Sequence, residues 1–202
     1  TGRAFRLITP NIGVLYRPTR NAFLDEIFRR VRGRGADVLI PKQSMRRMIR
    51  ALRQGTAVWY APDQSHRRTL SALIPFLGEP AMTTTALSEI ARLGNALVLP
   101  VLPRRFPATG RYTLEIRPPL ADFPGATPEE DAVRVNALLE THIREAPEQY
   151  YWIHRRFKGR PPPLPDPDSY PPRSRRHSRG VNSGRPSWLI LVSERCSRAR
   201  FA

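Results

Sequence analysis

Four short apolar runs, each closed by a proline within two residues, constrain the fold of this 202-residue chain more than any other feature. Residues 12–16 lead to Pro18, 37–40 to Pro41, 57–60 to Pro62 and 96–102 to Pro103. Apolar runs of this length read as buried strands. Proline cannot donate to a sheet ladder, so each strand should stop where its proline stands. Between the runs the apolar spacing turns helical: Phe23, Leu24, Ile27, Phe28, Val31; then Met45, Met48, Ile49, Leu52; then Leu87, Ile90, Ala91; then Val133, Leu138, Leu139, Ile143. Strands alternating with helices predict an α/β class with a mixed, largely parallel sheet flanked by helices. In open sheets of this kind ligands bind outside the carboxyl ends of the strands. Arg17, Asp63, Arg104 and Arg105 stand at those expected ends. They would make a site for an anion, with one carboxylate among cations. Asp63 also has a plainer reading, as a turn residue capping the next segment.

Smaller signals fill in the frame. Gly33 and Gly35 stop the first helix, and Gly55 caps the second. The apolar stretch 70–77, broken by Pro75, reads as a loop crossing the site towards an extended segment. Thr83, Thr84 and Thr85 offer cap hydroxyls to the third helix. Residues 107–110 read as a hairpin turn before an edge strand at 112–116. Thr127-Pro128-Glu129-Glu130 is a helix start with an N-cap, a proline at the first position and a glutamate at the third. After Pro147, residues 148–158 mix aromatics with cations: Tyr150, Tyr151, Trp152, His154, Arg155, Arg156, Phe157, Lys158.

The formal net charge is +17, and the only lysines are Lys42 and Lys158. Charge of that size implies acidic partners: nucleic acid, an anionic membrane surface, lipid phosphate or an acidic carrier protein. The single Cys196 excludes an intrachain disulfide and a cysteine-based zinc site, and no cofactor or metal is expected. No apolar run approaches the roughly 20 residues of a spanning helix. From Pro161 the composition turns to Pro, Arg and Ser; beyond Pro172 the chain holds eight Arg and one Glu. Residues 164–202 are therefore expected to be a disordered tail with one apolar island at 188–192.

Several stretches resemble the late lipid A acyltransferases, a branch of the glycerolipid-type acyltransferase superfamily. They are Tyr16-Arg17-Pro18 with Asn21, Met48-Ile49-Arg50-Ala51-Leu52 with Gly55, and Val58-Trp59-Tyr60-Ala61-Pro62-Asp63-Gln64. Thr83-Thr84, residues 98–105, and Ala146-Pro147-Glu148-Gln149-Tyr150 through Ile153-His154-Arg155-Arg156-Phe157-Lys158 complete the set. The last signature is long and specific; the resemblance covers roughly residues 10–163, so residues 1–163 are expected to form an acyltransferase-like core. What it implies is transfer of a fatty acyl chain from acyl carrier protein to a hydroxyl of a lipid A precursor, at the cytoplasmic face of the bacterial inner membrane. Such enzymes use a His-x4-Asp/Glu pair as general base. The positions five after His66, His142, His154 and His177 are Ser71, Pro147, Gly159 and Asn182, so these residues hold no such pair. An N-terminally truncated piece, lacking the base block and a membrane anchor, is the expectation. Ser65-His66 replaces the family's usual Asp-Tyr-Gly.

The resemblance assigns Asp63 and Arg17 to catalysis as one unit, and Gln64, Arg104, Arg105, Arg155 and Arg156 to substrate. Arginine forks suit phosphate. Arg155 and Arg156 have a second reading, as partners of helix carboxylates, and His154 reads as structural beside Trp152 and Phe157. The rival classes are a basic nucleic-acid-binding module and an anionic-membrane-surface module without catalysis. The chain carries no recognisable zinc-finger, helix-turn-helix or RNA-binding motif, so nucleic acid is not an expected partner.

Overall fold

The computed structural model describes residue 9 and residues 11–42, 44–63, 70–165 and 189–193, the last as backbone. The chain divides into two compact units. One comprises Thr1–Tyr60, Ser88–Pro124 and Ser187–Ala202; the other comprises Ala61–Leu87 and Gly125–Pro186.

The first unit is built on a six-stranded sheet. Its strands are β1 (Ile12–Tyr16), β2 (Val38–Pro41), β3 (Ala57–Tyr60), β6 (Ala96–Phe106), β7 (Arg111–Ile116) and β8 (Leu189–Ser193), in the order β2-β1-β3-β8-β6-β7. β1 is parallel to both β2 and β3. β8 is antiparallel to β3 and to β6, and β7 is antiparallel to β6. It follows that β1, β2, β3 and β6 all run the same way, and their carboxyl ends lie on one edge of the sheet. The α/β class and the mixed sheet are as the sequence pattern predicted.

Register explains the core. Ile12 pairs with Ala57, and Val14 with Trp59. Alternate residues of a strand share a face. One face therefore collects Ile12, Ala57, Leu99 and Val101, with Val14, Trp59, Leu97 and Leu114 packed against them. Helix α1 (Ala22–Gly33) opens on Asn21, whose side-chain oxygen accepts from the Leu24 N–H. Helix α2 (Met45–Arg53) buries Met48, Ala51 and Leu52; of the expected face Met48 and Leu52 are buried, while Met45 is exposed and Ile49 half-buried, so the buried stripe is turned towards Ala51. Helix α3 (Ala86–Gly94) ends against α2. A Cβ on Gly94 would stand 2.7 Å from Leu52 Cδ1 and 3.1 Å from its Cβ, so any side chain there would force Leu52 to shift. Arg53 Nε donates to the Leu93 carbonyl at 2.8 Å, satisfying one orphan acceptor of that helix end.

Two expectations change here. The first concerns β6, which does not stop at Pro103: it runs on to Phe106 because β7 pairs with it through Phe106↔Arg111. The second concerns the tail expected at 164–202 to be disordered. Its island supplies a strand, Leu189–Ser193, between β3 and β6. Two facing strands with unpaired edges are a template for any apolar β-prone run, and Leu189-Ile190-Leu191-Val192 is such a run. Residues 166–188 and 194–202 lie outside the described residues.

The second unit is organised differently. Strands β4 (Ser71–Phe76) and β5 (Glu79–Thr84) pair antiparallel with each other. The loop expected over 70–77 is thus a hairpin arm. Its turn is Leu77-Gly78, with φ of 53° and 85°, the two positive values of a type I′ turn. Pro75, which breaks the apolar stretch, faces Pro80 across the hairpin. Counting from the turn, that pair does not exchange ladder hydrogen bonds, so neither missing N–H matters. Helix α4 (Pro128–Glu145) packs along the hairpin. Thr127 caps it, accepting from the Glu130 N–H at 3.2 Å, as the sequence predicted. From α4, Glu140 Oε1 accepts from the Leu77 N–H at 2.8 Å, holding the strained turn residue, and Asn136 Nδ2 donates to the outward carbonyl of Pro75 at 2.8 Å.

Candidate functional site

Each unit places part of the expected site. In the first, Arg17 directly follows β1 and is exposed. Its guanidinium makes no hydrogen bond or ion pair with the described residues. Pro18 fixes the chain after it, so Arg17 leaves the sheet at the edge where β1 and β6 both end. β1 and β6 are three strand spacings apart, about 14 Å. Arg104 and Arg105 lie in the last turns of the ladder of β6, opposite Thr113 and Tyr112. Being adjacent in a strand they project to opposite faces. The contacts agree: Arg104 sits 6.0 Å from the ring of Phe106, its i+2 neighbour, and Arg105 6.0 Å from the ring of Tyr112, its cross-strand partner. Following register from Gly13 through Val58 and Leu191 to Val98, the face that carries Gly13 and Leu15 on β1 carries Leu102 and Arg104 on β6. Arg104 and Arg105 therefore cannot serve one anion side by side.

In the second unit, the aromatic-basic segment after Pro147 folds back on the hairpin. Arg156 is 3% exposed. Its Nη1 donates to the Met82 carbonyl at 2.9 Å and its Nη2 to Thr83 Oγ1 at 2.7 Å, with Asn136 Oδ1 at 3.5 Å. The guanidinium carbon lies 4.7 Å from the Phe76 ring centroid. The Nε has no hydrogen-bond partner among the described residues. Arg156 thus spends its fork on protein atoms. Arg155 beside it is exposed. Arg160, also buried, pairs with Glu79 at 3.1 Å and stacks 4.9 Å from the Phe157 ring. The rings of Tyr150 and Phe157 flank Phe76 at 6.2 and 6.1 Å.

Asp63 belongs to this second cluster. It is buried. Burial pushes the Tyr150 phenol well up from its ordinary range; the Asp63 charge adds to that and Arg156 opposes it. Burial pulls Arg156 down, while Tyr150 and Asp63 support its charge. At neutral pH the phenol is un-ionised. The expectation joined Asp63 to Arg17; within the second unit the Asp63 charge acts on Tyr150 and Arg156. Gln64 lies outside the described residues. Sequence reasoning passed over Thr83 as a fork acceptor, and over Phe76 and Asn136. Asn136 had a visible signal, a polar residue on the stripe of Ala132, Val135, Leu139 and Ile143, all buried with it.

A model of the bacterial lipid A biosynthesis acyltransferases matches residues 1–159. The chain belongs to that family. It is 39% identical over 164 residues to the lipid A biosynthesis lauroyltransferase of Escherichia coli K12, covering 81% of this chain and 53% of the relative. It is 37% identical over 161 residues to the lipid A biosynthesis palmitoleoyltransferase of the same organism, covering 79% and 52%. A lipid A biosynthesis acyltransferase of Haemophilus influenzae is 36% identical over 162 residues, covering 79% and 51%. The chain spans about half the length of the curated relatives it matches. The family match runs through β1 with Arg17, β3 and Asp63, β6 with Arg104 and Arg105, and the 150–158 segment, all within residues 1–159. Both clusters, Arg160 apart, therefore lie within the matched residues. β8 lies beyond the matched residues.

Proposed function

We propose that this chain serves the transfer of a fatty acyl group from acyl carrier protein to a hydroxyl of a lipid A precursor, at the cytoplasmic face of the bacterial inner membrane. The observation that carries the reading is the family match over residues 1–159. In the reaction the hydroxyl oxygen attacks the thioester carbonyl. The C–O bond forms, the C–S bond breaks, and the hydroxyl proton ends on the departing thiol. The general base for that proton is not a His-x4-Asp/Glu pair of these 202 residues.

Arg17 and Arg104 bind precursor phosphate in this reading, since both stand where four strands end and share a sheet face in register. Asp63 and Arg156 act as a buried charge pair that fixes the hairpin against the aromatic-basic segment. Gln64, Arg105 and Arg155 are outer contacts, for the precursor or for the acidic carrier protein. No observation favours nucleic acid.

The test is a chimera. All 202 residues of this chain replace the matched half of the Escherichia coli lauroyltransferase, and the product is given acyl carrier protein thioester and lipid A precursor. Acylated precursor is the expected product. A folded chimera that discharges no thioester to the precursor overturns the reading.

A further inference from the structure

Helix α1 buries none of its residues. Its apolar residues are all exposed: Phe23 at 74%, Val31 at 59%, and Leu24, Ile27 and Phe28 at 40–45%. At about 100° per residue they fill one arc of about 140°. Arg30 falls just outside one border of that arc and Arg32 just outside the other. The acids sit on the polar side: Glu26 holds Arg29 at 3.6 Å and shares the border cation Arg30 at 2.9 Å in an exposed pair, and Asp25 accepts from the Thr19 N–H at 2.8 Å. The Arg32 guanidinium carbon lies 5.6 Å from the Phe28 ring centroid. Arg20 and Arg34 bracket the helix, giving five cations to two anions between residues 20 and 34.

We propose that α1 is a membrane-contact helix that lies in the surface of an anionic bilayer. An apolar arc with a cation on each border is the arrangement by which a helix sinks Phe and Val between acyl chains while arginines reach phosphate. A solvated helix has no need of Phe23. A protein partner for this arc would have to be both apolar at the centre and acidic at two parallel rims; a bilayer of anionic lipid has both properties everywhere. The helix begins six residues after β1, so the contact lies on the same excursion of chain that carries Arg17 out of the sheet. The inference rests on the acyl-transfer reading only for choosing a lipid surface. Vesicle binding by this chain, beside a folded chimera that transfers no acyl group, would overturn that reading alone.

The test uses the full 202-residue chain and co-sedimentation with vesicles of phosphatidylglycerol and phosphatidylethanolamine, with phosphatidylcholine vesicles as control. Because the whole chain is cationic, charge alone gives some binding, so the decisive variants are apolar. Phe23→Ser with Val31→Ser, both well exposed and harmless to folding, is expected to weaken partitioning into the anionic vesicles about tenfold or more. Arg30→Glu with Arg32→Glu is expected to abolish the preference over phosphatidylcholine. Phe23→Trp is expected to add a fluorescence component that brominated lipid quenches. Unchanged partitioning of the double serine variant overturns the proposal, as does an added fluorescence component in Phe23→Trp that brominated lipid leaves untouched. So does a wild-type dimer in solution that the double serine variant dissociates, since that assigns the face to a second copy.

Discussion

Arg156 Nη2 donates to Thr83 Oγ1 at 2.7 Å, tying the C-terminal aromatic-basic segment to strand β5 across 73 residues of chain. The same guanidinium takes the Met82 carbonyl and covers Phe76. Removing it leaves the Met82 carbonyl and the buried Thr83 hydroxyl without this donor, and takes away a charge that Asp63 supports. Arg156→Met is expected to cost about 3 kcal/mol of stability, and Arg156→Lys nearly as much, because an ammonium cannot span two acceptors and stack on a ring. Urea unfolding measures both. A loss under about 1 kcal/mol for Arg156→Met would show that the fork is not structural.

The Asp63 charge supports that of Arg156, so the two contributions should be linked. In a double-mutant cycle, Asp63→Asn and Arg156→Met are expected to couple by about 1–3 kcal/mol, the pair costing much less than the sum. Additive losses would separate Asp63 from Arg156 and return it to the role of a turn cap.

Alkaline unfolding reads the same cluster through Tyr150. Its ordinary phenol pKa is 10.0, and burial raises it in the fold. A group with a raised folded pKa contributes its full stability below the unfolded value and loses it as pH rises through the folded one. The protein should therefore lose stability above about pH 10 more steeply than Tyr150→Phe does. Arg156, lowered by burial, carries the opposite sign in the alkaline range, so the difference between wild type and Tyr150→Phe is the measurement. Parallel stability curves for the two above pH 10 would contradict a buried phenol.

The sequence disclosed what local chemistry decides. Proline-closed β1 and β3, the Thr127 cap and the buried stripe of α2 follow from neighbours in the chain. The β4–β5 hairpin was hidden because its turn, Leu77-Gly78, lacks the Asn-Gly signal, and because the cost of Pro75 depends on which ladder position it takes. Arg156 could be read as a substrate contact or as a structural ion, since its acceptors come from Met82 and Thr83, far away in sequence. The residues of β8 belong to a stretch whose composition predicts disorder, because a five-residue strand in Arg-Ser-Pro surroundings has no meaning until β3 and β6 offer it two edges.

That strand carries a prediction of its own. Ending the chain after Pro165 removes β8 and leaves β3 and β6 with unpaired edges. The shortened protein is expected to melt lower by several degrees, about 2 kcal/mol for a chain of this size, and to aggregate more readily. An unchanged melting temperature would show that β8 adds nothing to the sheet.

The last prediction concerns the three arginines at the sheet edge, assayed in the acyltransferase chimera. Arg17 is exposed and bonded to none of the described residues, so its loss should not touch stability. If it holds precursor phosphate, Arg17→Ala lowers kcat/KM by roughly 10², about 2.7 kcal/mol of transition-state stabilisation. Arg17→Lys restores little, because a point charge does not replace a two-pronged donor. The strand pleat then separates the other two. Arg104 shares in register the face that leads to Arg17, and Arg105 takes the opposite one. Arg104→Ala should fall towards the Arg17→Ala rate, while Arg105→Ala stays within a few-fold of wild type. Lower activity with unchanged melting is required in the first two, since a merely structural role would move both. Equal losses at Arg104 and Arg105 would remove the pleat from the argument, and wild-type turnover by Arg17→Ala would remove the sheet edge from the phosphate site.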